Sequence, residues 1–278
     1  MDKIQVSFSG GETSAYMAQR IWSEWKDEHE LIFVFANTGE EHEETLKFVN
    51  TCSIYFGFEV IWVEADVQDG KGNGTKHKIV DYETASRKGE PFERVIEKYQ
   101  LPSPSAPICT RELKIRPMDS LSREMGFNKA KRAIGIRADE IDRINPDPQF
   151  IYPLVKWGVT KPQINGFWES MPFRLNIKSY EGNCKVCFKK GLRKLMTIAQ
   201  DNPEWFDNVK RWEEKYAHEY HPMFRNYMTA NDIIDMAQSN DFERAKDDRY
   251  KTWEYIQKDI FGNDLDTSNG CVEGCEII

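Results

Sequence analysis

The stretch at residues 7–15, SFSGGETSA, decides how the rest of the chain is read. It follows Ile4, Val6 and Phe8, which alternate as a half-buried strand does, and it precedes Tyr16, Met17, Ile21, Trp22 and Trp25 at helical spacing. The stretch is therefore predicted to be a strand-to-helix turn. Gly10 and Gly11 permit backbone angles that other residues resist and leave no side chain between the amides and a ligand. Ser9, Thr13 and Ser14 add hydroxyl groups, and a helix N-terminus adds unpaired N–H groups and the positive end of its dipole. Together they read as a phosphate cradle. It is not a Walker loop, since no Gly-Lys-Ser/Thr follows a four-residue spacer. A glycine-rich turn without a ligand is the alternative.

Outward from this turn, LIFVFANTG at 31–39 is a continuous apolar run closed by a turn, the pattern of a strand covered on both faces. HEETLKFVNTCSIYFG at 42–57 has the helical period, and FEVIWVEA is the next strand. The alternation predicts an α/β fold with a doubly wound, mostly parallel sheet. Ligands in such sheets sit beyond the carboxyl ends of the strands, where both the Ser9 turn and Asn37-Thr38-Gly39 fall. Residues 66–107 are polar and are expected to form a lid, a binding loop or a plain excursion, interrupted by a short helix at 92–99. ICTRELKIRPM leads into a helix running to about Met125. A strand at 133–136 ends in Arg137, placed for a phosphate or sulfate, or for an ion pair with Asp139 or Glu140. Residues 151–169 open extended and turn helical after Thr160. Beyond Gly191 the segments RKLMTIAQ, PEWFDNVKRWEEKYAHEY, ANDIIDMAQ and FERAKDDRYKTWEYIQKDIF all read as amphipathic helices. The expected organisation is a nucleotide-binding domain at 1–190, a C-terminal helical extension at 191–262 and a mobile tail at 263–278.

The 278 residues are enough for a full core, and 40% hydrophobic with 30% charged residues is ordinary for a globular protein. A net charge of −8 argues against a surface that coats nucleic acid, but leaves room for a local basic groove. No apolar run approaches the ~18 residues of a membrane span. The N-terminus runs directly into the first strand without an apolar leader, so a cytoplasmic location is expected. The six cysteines then read as thiols, metal ligands or redox groups before disulfides. Cys184 and Cys187 form C-x2-C in GNCKVCFKKG, a spacing that lets two thiolates reach one metal or cluster; two structural cysteines are the alternative. Cys271 and Cys275, in NGCVEGCE, read as a redox pair, a persulfide carrier, a distant ligand or tail thiols without a role. Cys52 has apolar neighbours and reads as a small core residue. His218 and His221 show no partner and read as surface or structural. Arg111, Lys114, Arg116, Lys185, Lys189, Lys190 and Arg193 flank the cysteines in sequence, as a basic patch for a nucleic-acid backbone or as a solvated face.

Several stretches together resemble the PAPS reductase-like branch of the PP-loop superfamily, whose fold is of the adenine nucleotide alpha hydrolase type. SGGETS is similar to its phosphate loop SGGx[DT]S, and FANTGEEHEET at 35–45 to its DTG-x-x-x-x-ET. CTRELKIRP at 109–117 resembles CC-x-x-R/L-K-V/I-x-P, GIRADEIDR at 135–143 resembles G-x-R-x-D/E-E-S-x-x-R, and YPLVKW at 152–157 resembles P-L-x-x-W. The resemblance implies an adenine nucleotide (ATP, or APS or PAPS) with its phosphates on Ser9, Gly10, Gly11, Thr13 and Ser14. Its adenine and ribose would lie near Asn37, Thr38, Gly39 and Glu40, and its anionic groups near Lys114 and Arg137. It brings in Cys109 as a third ligand beside Cys184 and Cys187, for a [4Fe-4S] cluster with one open iron or for Zn2+ with another ligand. Thr110 stands where the family has its second cysteine, and GCVEGCEII stands where sulfonucleotide reductases carry ECG-x-H. Similar departures occur in enzymes of DNA phosphorothioation and in phage proteins.

Three readings follow. In the first, ATP with Mg2+ adenylates an oxygen of a nucleic-acid acceptor, and sulfur from a donor then displaces AMP. In the second, Cys271 or Cys275 attacks the sulfur of APS or PAPS and is regenerated by a thioredoxin-like reductant. In the third, the chain is a nucleotide-binding interaction module with structural zinc.

Overall fold

The strand β2, His29–Ala36, sends Phe33 and Phe35 to one side of a sheet and Ile32, Val34 and Ala36 to the other, which is why its sequence is apolar without interruption. The computed structural model describes residues 1–70, 72–103, 106–220, 224–225, 227–239 and 242–247, with backbone alone for 217–220. Its sheet has six strands in the order β4-β3-β2-β1-β5-β6. β1 (Asp2–Ser7), β2, β3 (Val60–Val67), β5 (Lys131–Ala133) and β6 (Phe150–Ile151) run parallel. β4 (Thr75–Val80) pairs antiparallel with β3 on one edge. The doubly wound, mostly parallel α/β fold expected from the sequence is the fold observed.

On one face α1 (Glu12–Trp25), α2 (Glu43–Phe56), α5 (Pro153–Lys156) and α6 (Lys161–Ser170) pack Met17, Ile21, Leu46, Val49, Leu154 and Trp168 in one core with Val6, Phe33 and Phe35. On the other, α4 (Arg116–Glu124) packs Met118 and Leu121 against Val34 and Val63. α3 (Glu90–Tyr99) adds Val95 to Val67 and Leu113. A second core joins α7 (Leu192–Asp201), α8 (Asp207–Tyr220) and α9 (Ala230–Gln238). It contains Leu195, Ile198, Phe206, Trp212 and Ile233, together with Ile96, Leu101, Tyr180, Val186 and Phe188, so it draws on residues both before and after 190.

Four expectations are corrected. Residues 66–107 are not one polar excursion, because β3 continues to Val67 and β4 follows it. The signal in TKHKIV is weak: Thr75 and Val80 are buried, whereas Ile79 is 57% exposed and Lys76 and Lys78 face solvent. Lysines on such an edge discourage pairing with another chain. The helix expected to follow residues 108–118 and run to about Met125 begins earlier, because a π-helical turn, Thr110–Ile115, leads directly into α4, with Pro117 in the first turn of α4. The strand expected at 133–136 pairs as β5 at 131–133, and buried Ile134 and Ile136 follow it. Residues 242–247 of the last expected helix are not helical. The rest of that segment, His221 and the tail with Cys271 and Cys275 lie outside the described residues. Among the described residues no helix is long and apolar enough to cross a membrane.

Leu121 is fully buried between α4 and the sheet. Leu121→Ala should cost about 2–5 kcal/mol, read as a lower urea midpoint at unchanged slope. Ile79→Lys, on the exposed edge, should stay within about 0.5 kcal/mol of the parent.

Candidate functional site

β1 delivers the chain to the turn, where Phe8 N–H donates to the Val34 carbonyl at 2.9 Å. Gly10 has φ +86°, and a Cβ there would lie 2.6 Å from Thr45 Cγ2 and 3.2 Å from Phe35 Cε2, so both the angle and the space require glycine. The Ser14 hydroxyl accepts from Ser9 N–H at 3.2 Å, donates to the Gly11 carbonyl at 3.0 Å and lies 2.9 Å from Ser9 Oγ. It therefore shapes the loop from inside. Glu12, the next residue, receives two bonds from Arg174, at 2.9 and 3.0 Å, and its carbonyl accepts from Trp168 Nε1 at 2.9 Å. Arg137 reaches back to the same turn, with Nη1 3.5 Å from Thr13 Oγ1, while it also pairs with Asp139 and Glu140. Of the two roles weighed for Arg137 in the sequence, the local ion pair is formed, and the same side chain lies against the turn at 9–14.

Beyond β2, Asn37 and Thr38 are buried and used in the fold. Asn37 Nδ2 donates to Glu64 Oε1 at 2.7 Å and to the Ser86 carbonyl at 2.9 Å, and its Oδ1 accepts from Gly39 N–H at 3.3 Å. Thr38 donates through N–H and hydroxyl to the Glu41 carboxylate. Gly39 and Gly89 stand back to back with φ +81° and +79°, and a Cβ on Gly39 would lie 3.1 Å from the Gly89 backbone. The structure thus gives the side chains of Asn37 and Thr38 to holding this corner.

Residues 183–185 lie against the same corner. His42 N–H donates to the Asn183 carbonyl and Lys185 N–H to the Glu40 carbonyl, each at 3.0 Å, and Asn183 Nδ2 donates to the Ser9 carbonyl at 2.7 Å. The C-x2-C turn is thereby fixed beside both the phosphate turn and the end of β2. Cys109, just before the π-helical turn, joins Cys184 and Cys187 in the wall of one cavity, although it is far away in sequence. Thr38, Glu40, Thr110 and Lys114 line the same cavity, and Leu101, Val186, Val209 and Trp212 are among its apolar walls. Three thiols on a mostly apolar cavity are, in donor chemistry, a set for a soft metal or an iron–sulfur cluster. In the side-chain positions described, no three His, Cys, Asp or Glu residues form a metal-coordinating group. Cys52 is fully buried in the main core, and burial pushes its thiol up, as a core residue requires.

Two carboxyls face this region: Glu40, the last residue of the stretch expected beside adenine and ribose, and Glu41, which the sequence reading passed over. Burial pushes Glu40 up to about 7, opposed by a 2.5 Å bond from Asn208 Nδ2 and by the charge of Lys185. Burial also raises Glu41, against the charge of Lys114 and the bonds from Thr38, and Glu41 Oε1 lies 3.9 Å from Cys184 Sγ. The signal available was the Glu-Glu pair directly after a strand-end Thr-Gly. Asn183, Arg174 and Asn208 carried no such signal. The basic cluster around the cysteines is partly internal: Lys114 and Lys190 are buried, and Arg111 pairs with Glu112 at 2.6 Å.

Two outcomes follow. If the turn holds an adenine nucleotide, as the sequence resemblance implies, Gly10→Ala should lower ATP affinity at least ~10-fold, about 1.4 kcal/mol, because the loop must move off Thr45; isothermal titration checks this. Glu40 keeps a proton in the folded chain between pH ~4.5 and ~7 that the unfolded chain has released, so its contribution to stability falls as pH rises through that window. Glu40→Gln should leave stability at pH 4 unchanged and raise it at pH 8, by at most roughly 3 kcal/mol, in urea titrations at the two pH values.

Residues 3–104 match the phosphoadenosine phosphosulfate reductase domain, a stretch that includes the phosphate turn and the 35–45 motif and ends before Cys109. The uncharacterized nin region protein ORF290 of Escherichia phage lambda is 29% identical over 282 aligned residues, covering 95% of this chain and 97% of that protein. Among solved structures, the U34-tRNA thiolase NcsA from Methanococcus maripaludis, with its [4Fe-4S] cluster, aligns with 90% of this chain and 78% of its own at 16% identity and a TM-score of 0.39. Over residues 3–104, therefore, the chain is similar to the phosphoadenosine phosphosulfate reductase domain.

Proposed function

We propose that the protein is an adenine-nucleotide enzyme that couples cleavage of ATP to AMP and pyrophosphate with sulfur transfer to a nucleic acid. The observation that carries this reading is the double attachment of Asn183. Its side chain bonds to Ser9 of the glycine-rich turn and its carbonyl to His42, next to the Glu40–Glu41 corner, so the turn proposed to hold the nucleotide and the cysteine turn share one corner of the sheet. In this reading the α/β unit up to about residue 190 holds the nucleotide, and α7–α9 close the cysteine cavity. The turn at 9–14 would hold the phosphates, Mg2+ would supply charge neutralisation there, and Arg137 and Lys114 would offset further negative charge. The acceptor oxygen attacks the α-phosphorus and pyrophosphate leaves; a sulfur nucleophile then attacks the acceptor carbon and AMP leaves. Cys109, Cys184 and Cys187 would hold a [4Fe-4S] cluster, whose open iron supplies a place for the incoming sulfur, or alternatively Zn2+.

The family match favours one other reading, reduction of APS or PAPS with a thioredoxin-like partner, in which a cysteine thiolate takes the sulfur and sulfite is released. Anaerobically purified protein decides between them. Pyrophosphate release from ATP without sulfite release from APS or PAPS supports the first reading, and the reverse overturns it. Cys109→Ser, Cys184→Ser and Cys187→Ser should each lose iron and the broad absorption near 400 nm while keeping ATP binding within ~3-fold. Colourless parent protein carrying one zinc would replace the cluster with zinc.

A further inference from the structure

Lys190 is only 3% exposed, although it carries an ammonium group. It does not line the cysteine cavity, where Lys114 is the lysine. Its Nζ is turned instead onto the backbone of the cysteine turn, donating to the carbonyls of Cys184 and, at 3.3 Å, Lys185. Its own N–H donates to the Cys187 carbonyl at 2.9 Å. From the other side, Arg225 Nη1 donates to the carbonyls of Phe188, at 2.8 Å, and of Lys190. Carbonyls at 184, 185, 187, 188 and 190 are thus all held by donors of these two residues.

The attachment continues into the helical part. Glu213 of α8 accepts from Phe224 N–H and from Ala230 N–H, both at 2.8 Å, which fixes the segment on which Arg225 sits. A buried ammonium is costly unless its hydrogens are bonded, and carbonyl dipoles compensate it here. A residue that only filled space at 190 would be apolar, and it would leave the Cys184 carbonyl without this donor inside the protein.

We infer that Lys190 is a positioning residue for the metal-binding cysteines: with Arg225 it fixes the backbone of residues 184–190 so that Cys184 and Cys187 are preformed as a pair on the cavity wall. The inference rests on the proposed function for the metal, and on the hydrogen bonds alone for the turn. A preformed pair binds a soft metal more tightly than a pair that must be ordered on binding, because the ordering entropy has already been spent in folding.

The test uses the full chain and two readouts. Lys190→Met, with Lys194→Met on α7 as a control for loss of one charge, is titrated with Co2+ and Zn2+ against a chromophoric chelator, and amide hydrogen exchange is followed in metal-free protein. Lys190→Met should weaken Zn2+ binding at least 10-fold, about 1.4 kcal/mol, broaden the Co2+ d–d bands and speed exchange at residues 184–190 at least 10-fold. The control should match the parent in all three. Unchanged exchange in Lys190→Met overturns the positioning role whether or not metal binds. Faster exchange with unchanged Zn2+ affinity and Co2+ spectrum overturns it too, leaving a residue that serves stability only. If the parent binds neither metal, the metal reading of the proposed function fails and the exchange result alone decides whether Lys190 fixes the turn.

Discussion

Everything at the carboxyl end of the sheet depends on one short antiparallel bridge, residues 40–42 against 183–185. Two backbone hydrogen bonds and the Asn183–Ser9 bond bring together segments that the chain separates by most of its length. Without them the phosphate turn would end a sheet and the C-x2-C turn would belong to a helical bundle, with nothing to align the two. The bridge is possible because β2 stops at Ala36 and the next residues turn over, with Gly39 pressed against Gly89 in a left-handed conformation no other residue adopts cheaply.

The same corner buries more charge than a fold tolerates by accident. Glu12, Glu40, Glu41, Glu64 and Lys114 are all buried, and each carboxyl has donors assigned to it. Arg174 neutralises Glu12, Thr38 serves Glu41, Asn208 serves Glu40, and Asn37 with Ser86 serves Glu64. Buried carboxyls supplied in this way hold loops at fixed positions, because moving any loop leaves a buried polar group without its hydrogen-bond donor. The carboxyl end of the sheet is therefore rigid where the nucleotide and the sulfur chemistry are proposed to meet.

The helical part contributes more than bulk. Trp212 and Val209 of α8 wall the cysteine cavity, and Asn208 of the same helix bonds to Glu40. Arg225 reaches the cysteine turn from the segment after α8. One core contains Val186 and Phe188 together with Leu195 and Ile233, so the cysteine turn is built as part of the helical layer and presented to the sheet.

By itself the sequence determined the strand–turn–helix at 7–15, the parallel order of the first three strands and the identity of Cys52 as core, because those follow from periodicities of two and 3.6 and from glycine's freedom, which are local properties. It also identified the three cysteines as a set, through the resemblance rather than through spacing. It missed β4, whose buried residues number too few to leave a pattern in TKHKIV, and it placed β5 slightly late because Ile134 and Ile136 continue the apolar run beyond the last paired residue. Only the tertiary structure decided that Asn37 and Thr38 spend their side chains on the fold, that Glu40 and Glu41 face the cysteines, and that Lys190 turns inward. Each of those depends on which distant segment supplies the hydrogen-bond partner, and a partner far along the chain leaves no trace in the local pattern.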